Sequence, residues 1–592
     1  MTTVRRHSPV EIVTIGAGMT ASILAARVLP ETGHRMVSIE QGPAQWTYPD
    51  FAHNHDSLRY SQRFAMMQDL SKLSWTWRPN ASAPALPMRQ YGSFHPGQGL
   101  GGSLVHWTGL TWRFLPTDFK YRSHHVERYG ADRIPAEMTV RDWPVDYAEL
   151  EPYYDAFEYD IGVSGLAGNL GGRILPGGNP FEGPRQRPYP NPPMADSAFG
   201  KLFGQACSER DLHPFPTPSG LLSRGWTDPY GNVRAGCLYC GFCTRFGCEV
   251  GAKASPLTTW LPVALATDRY EVRTRCHVVR IDTATDGRAT GVTYVDAQGG
   301  EHFQPAEVVI ASAYSLENVR NLLLARSDKH PQGIGNDRGL VGRNYTYQLE
   351  QTPVKGLWEN TRFNFFMGNG CTVPQIYDYN GDVFDHSDLD FVGGAALFAE
   401  AGQRDPVTSV GTLLEDLTDR QWGAEWKAML GRSWDSVGGI NTEGESPAYT
   451  GNFCDLDPTY TDAWGLPLLR ITFDWMENER RMYRFLAARC VEIMRAMRPD
   501  RMAVQPELPP YRIDEYQSTH ATGGAIMGTD PGNSVTNSYG QVWDTPNVFV
   551  TGAALFPQNP GANPSGTVGA LAIRTAETLR DRYFSAPGEL LT

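Results

Sequence analysis

Apolar positions along the chain fall in short runs broken by glycine, not in one long tract. Val10–Ile15 is a β-branched run that enters Gly16-Ala17-Gly18-Met19-Thr20-Ala21, and a helical stretch, Ser22–Val28, follows. Met36–Ile39 is a second short run and ends in Glu40. The order is strand, glycine turn, helix, strand, acid. Downstream, Tyr270–Arg280 and Gly291–Val295 alternate like strands on either side of the turn signal Thr285-Asp286-Gly287. Val308–Ala313 reads as a buried strand. The helix Ser315–Arg326 follows it, with Leu316, Val319, Leu322 and Leu323 on one face. Trp143–Tyr154 opens an amphipathic helix whose first turn Asp146 is placed to cap. Leu468–Phe473 reads as a strand before a long charged helix from about Glu477 to Met497, and Asn547–Gly552 is a late strand-like run.

Between these elements the texture changes twice. From Gly162 to about Gly231 the chain is rich in Gly, Pro and Asn and predicts long surface loops. From Tyr345 to about Pro510 aromatic and polar residues mix, as at Trp358, Phe363 and Phe365, and this region is expected to form a substrate-binding layer. With 592 residues there is room for two domains. A composition of 41% hydrophobic and 20% charged residues is that of a globular protein. The net charge of −13 argues against a nucleic-acid partner or an anionic membrane surface. No apolar run reaches the ~18–20 residues that span a bilayer. Arg5-Arg6 precedes a run leading straight into a glycine loop, so it reads as a buried strand and not as a signal peptide. The expected location is therefore the cytoplasm, or the periplasm by co-export with a partner subunit.

The first glycine loop has the chemistry of a dinucleotide cradle. Gly16 makes the tight turn, Gly18 lets a pyrophosphate approach the backbone, and small Ala21 permits close helix packing. Glu40 is then placed to accept from the adenosine ribose hydroxyls, and a purely structural glycine turn is the alternative. A second loop, Gly97–Thr108, contains Gly99, Gly101, Gly102 and Ser103 and then His106-Trp107. A nicotinamide enzyme has no evident use for it, whereas a flavin needs backbone close to its pyrophosphate, ribityl chain and ring. Nine cysteines with one tight cluster do not form a disulfide scaffold. Cys237, Cys240 and Cys243 stand three apart, with Cys248 five further on, a run that suits an iron–sulfur cluster. Its last gap is one residue longer than in ferredoxin-type runs, and Glu249 replaces the usual proline. Zinc and disulfide chemistry are the alternatives. The tail holds one histidine, His520, and one asparagine, Asn563, each among glycines and small residues.

Gly16–Glu40, Gly97–Ser103, the strand–helix Val308–Leu324, Val341-Gly342-Arg343-Asn344 and the His520-to-Asn563 tail together resemble the glucose–methanol–choline (GMC) flavoprotein oxidoreductases. The cysteine run and the His-Trp pair look most like the large flavoprotein subunits of gluconate 2-dehydrogenase-type sugar dehydrogenases, and the active-site segments are also similar to pyranose oxidases. The resemblance implies a mixed α/β (α+β) GMC fold. Residues 1–45, 92–120, 232–345 and 515–592 would build a discontinuous Rossmann-like FAD-binding domain. Residues 46–91, 121–231 and 346–514 would build a substrate domain with a mostly antiparallel sheet, helices and peripheral loops. It further implies FAD, with Val278, Gly552, Ala553 and Pro564 as cofactor contacts and His106 as the site of a covalent flavin link in the manner of pyranose oxidases. His520 would be the base and Asn563 the hydrogen-bond donor above the flavin. The implied reaction oxidises a secondary alcohol of a sugar, sugar acid or glycoside to a ketone. Electrons would leave through the cluster to a cytochrome or quinone, with a small partner subunit. A pyranose-type oxidase with structural cysteines and a non-catalytic flavin-binding subunit are the rival readings.

Overall fold

The computed structural model describes residues 4–52, 55–365, 367, 371–400 and 406–590. Its first sheet is eight-stranded and runs Tyr270–Arg273, Met36–Ile39, Val10–Ile15, Glu301–Ala311, Ala289–Val295, His277–Thr283. Arg5–Arg6 and Val548–Val550 also pair with Glu301–Ala311. The strands near Val10–Ile15 are parallel, and the Ala289–Val295 hairpin is antiparallel. Val10–Ile15 and Met36–Ile39 are apolar on both faces because helices and loops cover both. Two of their polar side chains are satisfied inside: Thr14 Oγ1 lies 2.6 Å from Ser38 Oγ, which lies 2.8 Å from the Tyr270 hydroxyl. The helix Met19–Val28 packs against Trp260–Leu265 and Ser565–Thr578.

The second sheet is six-stranded and antiparallel throughout, from Arg501–Val504 through Leu349–Leu357, Val437–Gly444, Ala395–Glu400 and Pro374–Ile376 to Phe215–Pro216. The helix Glu477–Ala496 lays Met482, Tyr483, Leu486, Cys490 and Ile493 onto it. The aromatic segment from Tyr345 to Pro510 therefore folds as a sheet with a helix across it.

Two sequence expectations are corrected. Tyr270–Arg280 is not one strand. It breaks at Arg275, whose φ is +57°, because Arg275 and Cys276 donate to the carbonyls of Gly42 and Glu40. The break moves the chain from the parallel to the antiparallel part of the sheet and turns Val278 inward. The segment from Gly162 to Gly231 is not only loop, since Ala198–Ser208 is a helix capped by Ser197 accepting from the Gly200 amide. It buries Phe199, Phe203 and Cys207, an amphipathic pattern lost among the surrounding prolines. Asp146 caps the helix Tyr147–Ile161 as expected, accepting from the Glu149 amide at 2.9 Å.

The helix Tyr147–Ile161 meets Ser565–Thr578 where Gly569 leaves room for Phe157; a Cβ there would lie 2.2 Å from that ring. Its Glu158 binds Arg113 through two bonds of 2.8 and 2.9 Å and also Arg185, all three buried. The two guanidiniums hold the Glu158 carboxyl below its usual value against burial. Replacing Glu158 by Gln leaves two buried cations short of their counter-charge, at a cost of about 3–5 kcal/mol. Equilibrium denaturation at pH 7 is expected to show that loss. An unchanged midpoint would mean that the triad contributes nothing to stability.

Candidate active site

The two glycine loops interlock. The Gly101 amide donates to the Ala17 carbonyl at 2.9 Å, and the backbones of Gly18 and Gly102 lie in van der Waals contact. Gly16, at φ +97°, tolerates no side chain, since a Cβ would lie 2.9 Å from the Ser312 carbonyl oxygen. Glu40 is buried between the loops. Its Oε1 accepts from Gly42 at 2.8 Å and Gly99 at 3.1 Å, and its Oε2 from Ala17 at 3.1 Å. Burial raises the Glu40 pKa and the three amides pull it down again, so the carboxyl acts first as a clamp on three loops.

Beside this clamp opens a cavity of about 380 Å³. Gly16, Gly18, Glu40 and Val278 line one end, and Gly102, Ser103 and His106 line its side. Gly552, Ala553 and Pro564 complete the wall below His520 and Asn563. Ala21, Gly99 and Gly101 stand behind the lining: Ala21 is fully buried in its helix, and Gly99 packs on Pro43. A lining that combines backbone of two glycine loops with His520 and Asn563 fits a dinucleotide flavin. His106 is buried, its Nε2 is without a hydrogen-bond partner, and burial together with Lys253 lowers its pKa to about 3.

At the far end Asn563 Nδ2 lies 3.0 Å from His520 Nε2. An amide NH2 only donates, so Nε2 accepts and the proton sits on Nδ1. Burial pushes the imidazole pKa down to about 3, so it is neutral and able to take a proton. The segment before it is strained. Thr519 is β-branched yet has φ +67°. Tyr347 Oη accepts from the amides of Ser518 and Thr519 at 3.0 and 2.9 Å, and the Tyr314 hydroxyl donates to the Thr519 carbonyl at 2.9 Å. Asn559 Nδ2 holds the His520 carbonyl at 2.8 Å. Such over-determination is what sustains a strained backbone at a functional site.

The four clustered cysteines do not line the cavity, but their loop forms its outer wall. The Arg245 amide donates to the His106 carbonyl at 2.7 Å, Thr108 Oγ1 lies 2.9 Å from Thr244 Oγ1, and both Thr244 and Arg245 face the cavity. Buried Lys253 gathers the loop by donating to the carbonyls of Trp107, Cys243 and Phe246 at 2.6–2.8 Å. The sulfurs receive backbone amides: Tyr239 to Cys237 at 3.3 Å, Lys253 to Cys248 at 3.5 Å, and Phe242 to Cys240. The thiols are near enough to perturb one another. The Cys237 pKa is pushed up to about 11, by burial foremost and by Cys248 and Cys240 in addition. Among the described residues no disulfide joins them, and no three of these sulfurs lie within 4.8 Å of one another.

A carboxyl pair was not legible in the sequence. Glu350 and Glu443 face each other on neighbouring strands of the second sheet. Glu350 lines the cavity, and Glu443 Oε1 lies 3.7 Å from His520 Nδ1. Both Glu443 oxygens are buried without a hydrogen bond. Burial foremost raises both pKa values, Glu350 to about 8, with Glu400 adding to the rise at Glu350 and Glu350 adding to the rise at Glu443. The available signal was two acids in separate strand segments, which only the register brings together.

Comparison with known proteins agrees with this geometry. Models of the GMC oxidoreductase family match residues 219–350 and 450–572. The chain is 39% identical to the gluconate 2-dehydrogenase flavoprotein of Pantoea cypripedii, over 98% of this chain and 95% of that protein. It is 27% identical to the 2-methyl-1,2-propanediol dehydrogenase of Mycolicibacterium austroafricanum, over 96% and 94% of the two chains. It is 25% identical to the fructose dehydrogenase large subunit of Gluconobacter japonicus, over 96% and 97%. Among solved structures, pyridoxine 4-oxidase from Mesorbium loti superposes with a TM-score of 0.58 at 16% identity, covering 96% of this chain and 98% of that one, which shows the fold.

The carboxyl pair gives a signed pH prediction. Glu350 has its folded pKa raised to about 8 from the ordinary 4.5, so its contribution to stability is complete below 4.5 and is lost as pH rises through 8. Gln at position 350 cannot ionise. The melting temperature of Glu350→Gln relative to the parent is therefore expected to rise between pH 6 and pH 9.5, and a flat or falling difference would show that the pair is already ionised at neutral pH.

Proposed function

The chain belongs to the GMC oxidoreductase family, an FAD-dependent oxidoreductase acting on CH–OH groups, and we propose that it oxidises a secondary alcohol of a sugar, sugar acid or glycoside to a ketone. The reading is carried by one juxtaposition: a neutral His520 bonded to Asn563 at one end of a cavity whose outer wall is the cysteine loop. FAD held by the two glycine loops and Glu40 supplies the hydride acceptor.

His520 Nε2 takes the hydroxyl proton when substrate displaces the Asn563 contact, and Asn563 donates to the substrate oxygen without a change of charge. Burial keeps the imidazole neutral across the working pH range, so no protonated fraction has to be emptied first. Unpaired polar atoms gather around this end, including Glu443 Oε1 and Oε2, Gln348 Oε1 and Asn563 Oδ1. Left without partners they are costly, which suits a hydroxyl-rich ligand. Cys237, Cys240, Cys243 and Cys248 hold an iron–sulfur cluster, which supplies an outlet for electrons to a cytochrome or quinone. His106, with its unpartnered Nε2 on the cavity wall, is the candidate for a covalent flavin link. A small partner subunit completes the assembly.

In anaerobic stopped flow with D-gluconate and related sugar acids, His520→Ala is expected to slow flavin bleaching by about 10²–10⁴-fold while the bound-flavin spectrum persists. Unchanged bleaching would remove His520 from the chemistry. Purified parent is expected to contain iron that Cys240→Ser loses, and acid precipitation is expected to leave the yellow colour in the pellet. An iron-free parent that releases stoichiometric peroxide would make the protein an oxidase with structural cysteines.

A further inference from the structure

Far from the cysteines, at the edge of the first sheet, His330 is buried with its ring nitrogens in different surroundings. Nε2 lies 3.0 Å from the Gly287 carbonyl oxygen and 3.4 Å from Thr545 Oγ1. Gly287 must be glycine for this approach: its φ is +93°, and a Cβ would lie 2.9 Å from Nε2. A carbonyl only accepts, so Nε2 carries the proton and Nδ1 presents a lone pair. That Nδ1 has no hydrogen-bond partner, although the residue is only 1% exposed. It faces a carboxylate: Asp337 Oδ1 lies 3.9 Å away, and one ring nitrogen of His330 and one oxygen each of Asp337 and Asp544 all lie within 4.8 Å of one another. Asp544 is anchored by the Gly335 amide at 3.1 Å and the Thr545 hydroxyl at 2.9 Å.

We propose that His330, Asp337 and Asp544 bind a divalent first-row transition ion, Mn2+ or Zn2+, which staples two loops. A metal-ligating imidazole commonly donates its other N–H to a backbone carbonyl, which fixes the tautomer and aims the lone pair, and Gly287 does this here. One imidazole with two carboxylates lies between the all-oxygen sites of Mg2+ and Ca2+ and the thiolate sites of softer ions. Ligand atoms around a tetrahedral Zn2+ stand about 3.4 Å apart. The 3.9 Å between Nδ1 and Asp337 therefore closes with a small swing of the exposed Asp337 side chain. Through His330 and Gly287 the ion holds the turn between His277–Thr283 and Ala289–Val295, and it joins the loop after Ser315–Leu324, which carries His330 and Asp337, to the Asp544 turn before Val548–Val550. The last of these strands leads to Gly552 on the cavity wall. The competing arrangement is a bare ion pair in which Nδ1 carries a proton toward Asp337.

Mn2+ is the probe of choice, because the cysteine run would itself take up zinc. The full-length holoenzyme, stripped with EDTA and desalted, is titrated with MnCl2 while the EPR signal of unbound Mn2+ is followed. One bound Mn2+ per chain is expected, with a rise in melting temperature. Asp337→Asn, at an exposed position, is expected to melt like the parent in EDTA, to bind Mn2+ at least about tenfold more weakly and to lose the Mn2+-dependent rise. His330→Gln is expected to abolish both. No bound Mn2+ in the parent, or an unchanged isotherm in Asp337→Asn, overturns the assignment in favour of the ion pair.

Discussion

The site depends on a buried carboxylate, Glu40, that has given up water for three backbone amides. Those amides belong to Ala17, Gly42 and Gly99, on three separate loops. An uncompensated carboxylate there would be costly, so the loops must converge on it. Convergence brings Gly18 against Gly102 and sets the width of the cradle. The same residue reaches further, because its carbonyl receives the Cys276 amide and so fixes where the strand through Tyr270 breaks. The break turns Val278 into the cavity. One acid at the end of one strand thus ties nucleotide loop, flavin loop and sheet edge together.

The opposite wall is held by strain instead of charge. His520 follows a threonine in a conformation that its Cβ branch resists. Tyr347 and Tyr314 hold that peptide from both sides, and the Tyr347 hydroxyl donates a hydrogen bond to the Ser93 carbonyl. Ser93 lies just ahead of the second glycine loop, so the base and the cradle are positioned through shared bonds. The direction of the imidazole is therefore a property of the whole fold and not of the local His-Ala-Thr-Gly-Gly sequence.

This explains what the sequence discloses and what it does not. Val10–Ile15 and Met36–Ile39 are legible to the residue, because glycine or an acid ends each run and both faces are buried. The cradle residues follow from the loop chemistry, and all but Ala21, Gly99 and Gly101 reach the cavity. The helix Ala198–Ser208 was hidden because prolines and glycines around it outweigh eleven amphipathic positions. Glu350 and Glu443 were hidden for a different reason. Each is unremarkable in its own strand, and only the antiparallel register sets one against the other beside His520. The contact between Arg245 and His106 is likewise backbone to backbone, and no side-chain pattern reports it.

The charge layout around the cavity gives the proposed reaction a direction. At the substrate end burial suppresses every charge: His520 stays neutral, and the facing Glu350 and Glu443 are raised above the ordinary carboxyl range. A proton arriving on Nε2 makes an imidazolium 3.7 Å from Glu443, where it favours ionisation of that carboxyl. The proton thus has a place to settle on the sheet side. On the other side the cysteine loop is built around buried Lys253, which donates to the Trp107 and Cys243 carbonyls and whose charge faces the thiols while burial lowers its pKa. That cation favours negative charge arriving among the sulfurs and discourages a proton from following. In the proposed reaction the proton and the electrons thus leave by opposite walls of one cavity, the carboxyl pair on one side and the cysteine loop on the other.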